Sequence, residues 1–133
     1  MLVYANSAGR SDVQKEINGL HPAVSATFEV RVRYLVNTPK LAWSEPQAKK
    51  LQGAGEIYEI RFKANNIEYR PLGCFNTSEK EFIILVWAYK KQRVYSPAAA
   101  ITTAQKRAKE IFAGNAKYSR LQIDGEDFPE AEE

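Results

Sequence analysis

This 133-residue chain has one cysteine, one histidine and no apolar run longer than eight residues. A lone thiol, Cys74, excludes an internal disulfide and fits a reducing compartment. His21 stands far from it in sequence, beside Pro22, so the two make no zinc-binding set. Cys74 reads as a structural, half-buried thiol and His21 as a loop residue. No metal motif, glycine-rich phosphate loop or serine-nucleophile elbow is present, so neither metal nor cofactor is expected. The longest apolar run, Phe82 to Tyr89, is too short to span a bilayer, and the opening residues lack a basic region followed by an apolar core. No membrane partner is expected, and a cytoplasmic location is.

Positive charge is plentiful and unevenly spread. Residues 124–133 hold six acids and no bases, which leaves 16 − 6 = 10 acids against 19 bases elsewhere, a net of +9. A basic body points to an anionic partner, of which nucleic acid is the commonest. The chain reads as one domain over residues 1–123, followed by an acidic, disordered tail over residues 124–133.

Local patterns divide the body into elements. Leu2 to Ala5 predicts a short strand. Ser11 predicts a helix start, an N-cap with Asp12 in the first turn and Gln14 three residues on. From Ala23 to Asn37 two periods compete. Phe28, Val30, Val32, Tyr34 and Val36 alternate as in a strand, whereas Val24, Phe28, Val32 and Leu35 form a helical stripe; the length of about fifteen residues favours helix. Gln47 to Leu51 reads as one helical turn. Glu56–Lys63, Ile67–Phe75 and the run from Phe82 make three strands joined by short turns, with a bend expected at Pro71 and Gly73. Ser96 caps a final helix with Pro97 at its first position, and Ile101, Ala104, Ala108 and Ile111–Phe112 line one face. The expected fold class is α+β: an N-terminal strand, two helices, an antiparallel three-stranded meander and a C-terminal helix.

The apolar run delivers Lys90, Lys91, Arg93 and Tyr95 within six positions of its end. Rigid elements that present polar groups at their ends commonly carry sites, although such charges also serve merely to solubilise a strand end. Taken in order, Lys49/Lys50-Leu51-Gln52-Gly53, Tyr58-Glu59-Ile60-Arg61, Tyr69-Arg70, Ile83 to Val86, Tyr89-Lys90-Lys91, and Pro97 with Ala104 to Arg107 resemble the RelE/HigB toxin superfamily, the phage-related HigB-type branch in particular. The similarity covers residues 46–112 by motif and 11–45 by element order.

The resemblance implies a RelE-like fold and the toxin of a type II toxin–antitoxin system. Such a toxin is a metal-independent endoribonuclease that cuts messenger RNA on the ribosome. Its implied partners are that RNA, the ribosome and a cognate antitoxin, a small DNA-binding protein often of helix-turn-helix type. Catalytic roles are implied for Glu59, Arg61, Arg70, Arg93 or Lys91, and Tyr95. Contacts to RNA are implied for Lys63, Tyr89, Lys90, Lys91, Lys106 and Arg107. Trp87 stands where that branch often carries a histidine.

RNA can be cut by its own 2′-hydroxyl, which leaves the protein to position the chain, accept a proton, stabilise charge and protonate the leaving oxygen. Glu59 is the candidate base; Tyr95 or Lys91, with a pKa lowered among cations, is the candidate acid. Strand alternation puts residues 59, 61 and 63 on one face. Each has a blander reading: a surface ion pair for Glu59 with Arg61, a strand bridge for Arg70, a packing ring for Tyr95. Two other functions share these features, a ParE-like toxin that poisons a topoisomerase and an inactive RNA- or protein-binding relative derived from phage.

Overall fold

The longest apolar run builds the middle of the molecule. In the computed structural model, which describes residues 1–130, β7 (Phe82–Val86) is buried along its whole length. It runs parallel to β1 (Leu2–Ala5) on one side and antiparallel to β6 (Leu72–Phe75) on the other. Burial on both faces is why the run shows no alternation. The sheet extends from β1 to β10 (Lys117–Arg120) and from β6 to β3 (Tyr58–Ile60) and β2 (Ala48–Lys50), in the order β10-β1-β7-β6-β3-β2.

Three segments of chain then pass from this sheet into a second one. β3 ends at Ile60 and, after Arg61 alone, resumes as β4 (Phe62–Ala64). Arg70 and Pro71 separate β5 (Ile67–Tyr69) from β6, and Trp87 and Ala88 separate β7 from β8 (Tyr89–Lys91). With β9 (Val94–Ser96) these pieces form the sheet β4-β5-β8-β9. Pro71 has no N–H to offer a ladder. Just beyond it the register slips between Leu72–Val86 and Gly73–Ile84, making Leu85 the extra residue of a bulge. Gly73 is required there, because a Cβ would lie 2.1 Å from the Ile83 carbonyl oxygen and 2.5 Å from the Phe82 ring.

The helices follow their apolar stripes. α1 (Asp12–Asn18) is capped by Ser11, whose side chain accepts from the Gln14 N–H at 3.0 Å. α2 (Pro22–Val36) buries Val24, Phe28, Val32 and Leu35 and leaves Val30 and Tyr34 exposed, so the helical period prevails over the alternation. His21, expected in a loop, caps this helix by accepting from the Ala23 N–H at 3.1 Å. α3 (Ala100–Phe112) starts beyond Ser96 and Pro97, with Ser96 placed in β9 instead. α1 and α3 lie against the larger sheet and α2 against β4. Two aromatic groups fill the interior: Trp43 with Tyr58, Phe75 and Phe82, and Trp87 with Phe28, Phe62 and Tyr69.

The expected architecture does not hold. In place of one N-terminal strand, two helices, a three-stranded meander and a closing helix, the described residues form three helices and strands spread over three sheets, of six, four and two strands. The long strands bend at their breaks and are shared between two sheets. Ala48–Lys50, expected as a helical turn, pairs with β3, and Lys117–Arg120 adds a strand along β1. The two-stranded sheet, β11 (Gln122–Ile123) with β12 (Glu126–Asp127), reaches into the segment read as a disordered tail. Within that segment Phe128 is buried, with the Arg33 guanidinium 5.4 Å from its ring centroid; residues 131–133 lie outside the described residues. Among the described residues no helix is long and apolar enough to cross a membrane.

Candidate active site

The breaks between the two sheets lie side by side. The Ile60 N–H donates to the Pro71 carbonyl and the Arg70 N–H to the Ala88 carbonyl, each at 2.8 Å. At this junction stands Glu59, only 2% exposed. Its Oε1 accepts the Tyr95 hydroxyl proton, and Lys90 Nζ lies 3.9 Å from the same oxygen. Its Oε2 lies 3.5 Å from Arg61 Nε and 3.9 Å from Arg70 Nε. A buried carboxylate is costly unless compensated; here three cations and a phenol surround it.

Strand register explains why they meet. Lys63 faces Glu68, Glu68 faces Lys90 and Lys90 faces Tyr95 across β4-β5-β8-β9, so the four side chains form a row on one face. Lys90 Nζ sits 4.7 Å from the Tyr95 ring centroid. Both arginines also have outer partners. Arg61 Nη1 donates to Glu45, Arg70 Nη2 donates to Glu68 at 2.9 Å, and Arg70 Nη1 donates to the Tyr69 carbonyl at 2.8 Å. Arg70 is 6% exposed, and its Nε has no hydrogen-bond partner among the described residues.

Burial first, then the hydrogen bond and charge of Glu59, push the Tyr95 hydroxyl well above the usual phenol range, against opposing effects of Arg70 and Arg61. The expected lowering is therefore reversed. Tyr95 keeps its proton and directs it at a carboxylate.

A model of the family described as phage derived protein Gp49-like (DUF891) matches residues 15–109, which is 95 of the 133 residues and contains the whole cluster. The chain belongs to the Gp49-like family. That family is a RelE/ParE-like toxin family. No curated protein and no solved structure matches the chain.

In this Gp49-like chain the junction gathers Glu59, Arg61, Arg70 and Tyr95, and it adds Lys90, which the sequence placed only among RNA contacts. Arg93 is not part of it: it is exposed at the tip of the β8–β9 hairpin with φ +67°. Lys91 is exposed and, by the pleat of β8, points away from the Lys90 side. Lys63 is exposed in the charged row, and Lys106 is exposed on α3. Tyr89 lies on the other face of β8, lining with Trp87 and Arg107 a cleft of about 580 Å³. Arg107 is committed to the fold. It donates to Asp12 at 2.8 and 3.0 Å, covers the Tyr4 ring at 4.4 Å, and takes the bulged Leu85 carbonyl at 2.8 Å. Trp87 meets Phe28 edge-on at 5.0 Å among Phe62 and Tyr69, on the face opposite the charged row. Cys74 is buried rather than half-buried, and burial pushes its thiol up to about 11.

Sequence reasoning missed Glu45 and Glu68. Glu68 was within reach, since a residue two before Arg70 shares its face in a strand. Glu45 sits in a loop, where no period marks it.

Proposed function

We propose that this chain is the toxin of a type II toxin–antitoxin system and works as a HigB-type, ribosome-associated messenger-RNA endonuclease without a metal. One observation supports the reading: Glu59, Arg61, Arg70, Lys90 and Tyr95 meet at one junction although they are up to 36 residues apart. RNA cleavage by the 2′-hydroxyl needs mainly positioning and charge stabilisation, which such a cluster offers.

The buried Glu59 reaches substrate only through Tyr95. The 2′-hydroxyl proton passes to Tyr95 Oη as the phenol's own proton passes to Glu59 Oε1, so no free phenolate forms, in keeping with the raised phenol pKa. The 2′-oxygen bonds to phosphorus, the bond from phosphorus to the 5′-oxygen breaks, and the departing oxygen takes a proton from the Lys90 ammonium. Arg61 and Arg70 stabilise the charge that builds on the phosphoryl oxygens. The products are a 2′,3′-cyclic phosphate and a 5′-hydroxyl.

Purified protein, ribosomes kept assembled with magnesium and a defined message test this by mapping the RNA ends. Cuts with those end groups are expected, and Tyr95→Phe should slow them about a hundredfold. Message left intact on the ribosome rules the nuclease out. Trp87, in the histidine position of the HigB-type branch but packed edge-on against Phe28 away from the junction, favours one second reading, an RNA-binding relative that does not cut. The same assay separates it as RNA bound and uncut. A cognate antitoxin is part of the proposal, and co-expression of the neighbouring gene should relieve growth arrest.

A further inference from the structure

The carboxylates around the two arginines fall into an inner and an outer set. Glu59 holds the inner Nε atoms from its buried position. Glu45 and Glu68 hold the outer nitrogens, Arg61 Nη1 and Arg70 Nη2, and their side chains are 57% and 52% exposed. Lys49 Nζ also lies 3.7 Å from the same Glu45 oxygen that Arg61 engages. Glu68 occupies the middle of the charged row, between Lys63 and Lys90, so one acid stands between two bases along the face. Only the acid of each pair is exposed: Glu68 balances a buried guanidinium, whereas Glu45 pairs with a partly exposed one and contributes little to stability. Both acids nonetheless stand on the outward nitrogens of a cationic site, open to exchange with solvent.

We propose that Glu45 and Glu68 are internal competitors for the RNA phosphate. Each occupies the guanidinium nitrogen that a phosphodiester oxygen would take and is displaced when RNA binds. The inference rests on the RNA reading above and deepens it, since these two side chains set how tightly the site takes a phosphate. Guanidinium groups pair with carboxylate and phosphate through the same planar geometry, which makes the exchange direct. Because the two carboxylates swing into water while Glu59 stays, the inner scaffold of the arginines survives the exchange. The closed and open forms of the site differ only in surface side chains.

The test uses the whole protein and a short fluorescent RNA, 2′-O-methylated throughout so that it cannot be cut, with binding read by anisotropy across a salt series. Glu45→Gln and Glu68→Gln are each expected to tighten binding about 1.5- to 5-fold, the worth of one exposed ion pair. Each should also steepen the plot of log affinity against log salt by about 0.7, one freed cation on a single strand. In the ribosome assay the same variants should lower KM and leave kcat unchanged. Glu79→Gln is the control, because Glu79 is an exposed acid that pairs with Lys40 in the turn before β7, away from the junction. If Glu79→Gln tightens binding as much as the others, bulk charge is the cause and the proposal falls. Weaker binding by Glu45→Gln or Glu68→Gln would show that these acids position the arginines, which also overturns it. Wild-type protein that binds no RNA at any salt defeats the RNA reading and this inference with it. Wild-type binding with no tightening in the variants defeats this inference alone.

Discussion

Glu59→Gln removes one charge from the centre of the junction while keeping the side chain's shape and one acceptor oxygen. Arg70, 6% exposed, would keep Glu68 as its counter-ion and Arg61 would keep Glu45, but Lys90 would lose the Glu59 carboxylate 3.9 Å from its Nζ. Removing one partner of a buried ion pair costs about 3–5 kcal/mol. The retained outer carboxylates and the amide oxygen reduce that to about 2–3 kcal/mol. Tyr95 would exchange a charged acceptor for a neutral one, adding about 1 kcal/mol. The expected loss is therefore about 3–4 kcal/mol. Urea unfolding followed by the fluorescence of Trp43 and Trp87 should show a lower midpoint with an unchanged slope. Tyr95→Phe should cost about 1 kcal/mol, and the double variant less than the sum, because both changes break the same hydrogen bond. A Glu59→Gln protein within about 0.5 kcal/mol of wild type, or strictly additive losses, would refute the view that this carboxylate organises the junction.

Other outcomes follow from the same packing and charge. Gly73→Ala should destabilise by about 3 kcal/mol or more, since its Cβ would meet the Ile83 carbonyl at 2.1 Å; unfolding at the wild-type midpoint would contradict that packing. Lys90→Ala should slow cleavage about a hundredfold while Lys91→Ala stays near wild type, and the reverse order in the ribosome assay would move the site to the other face of β8. Cys74 should resist thiol reagents at neutral pH until urea is added. With its thiol at about 11 in the fold against 9.0 otherwise, the unfolded chain ionises first, so stability present below pH 9 is lost by on the order of 2–3 kcal/mol as pH climbs to 11. Tyr95 acts in the same direction: its raised pKa means that stability falls above about pH 10, and Tyr95→Phe should flatten that fall in alkaline urea titrations.

Several elements follow from local sequence alone. The Ser11 cap, the Val24–Phe28–Val32–Leu35 stripe and the unalternating run at Phe82 depend on a few neighbours along the chain, and each built what its period indicates. The bend at Pro71 and Gly73 was legible for the same reason, a missing N–H and a missing Cβ. Edge strands were not. Lys117–Arg120 and Ala48–Lys50 present mostly exposed side chains, so they carry no apolar signature and become strands only because a neighbour offers a free edge.

The residue types at the site, an acid, two arginines, lysines and a tyrosine, were determined by sequence alone, as was the basic surplus that points to an anionic partner. Which lysine belongs to the cluster was decided by tertiary structure, since a step of one residue in a strand reverses the face and separates Lys90 from Lys91. The direction of the Tyr95 shift was decided there too. Burial and a facing carboxylate outweigh the nearby cations, and both are properties of strands brought together from distant parts of the chain.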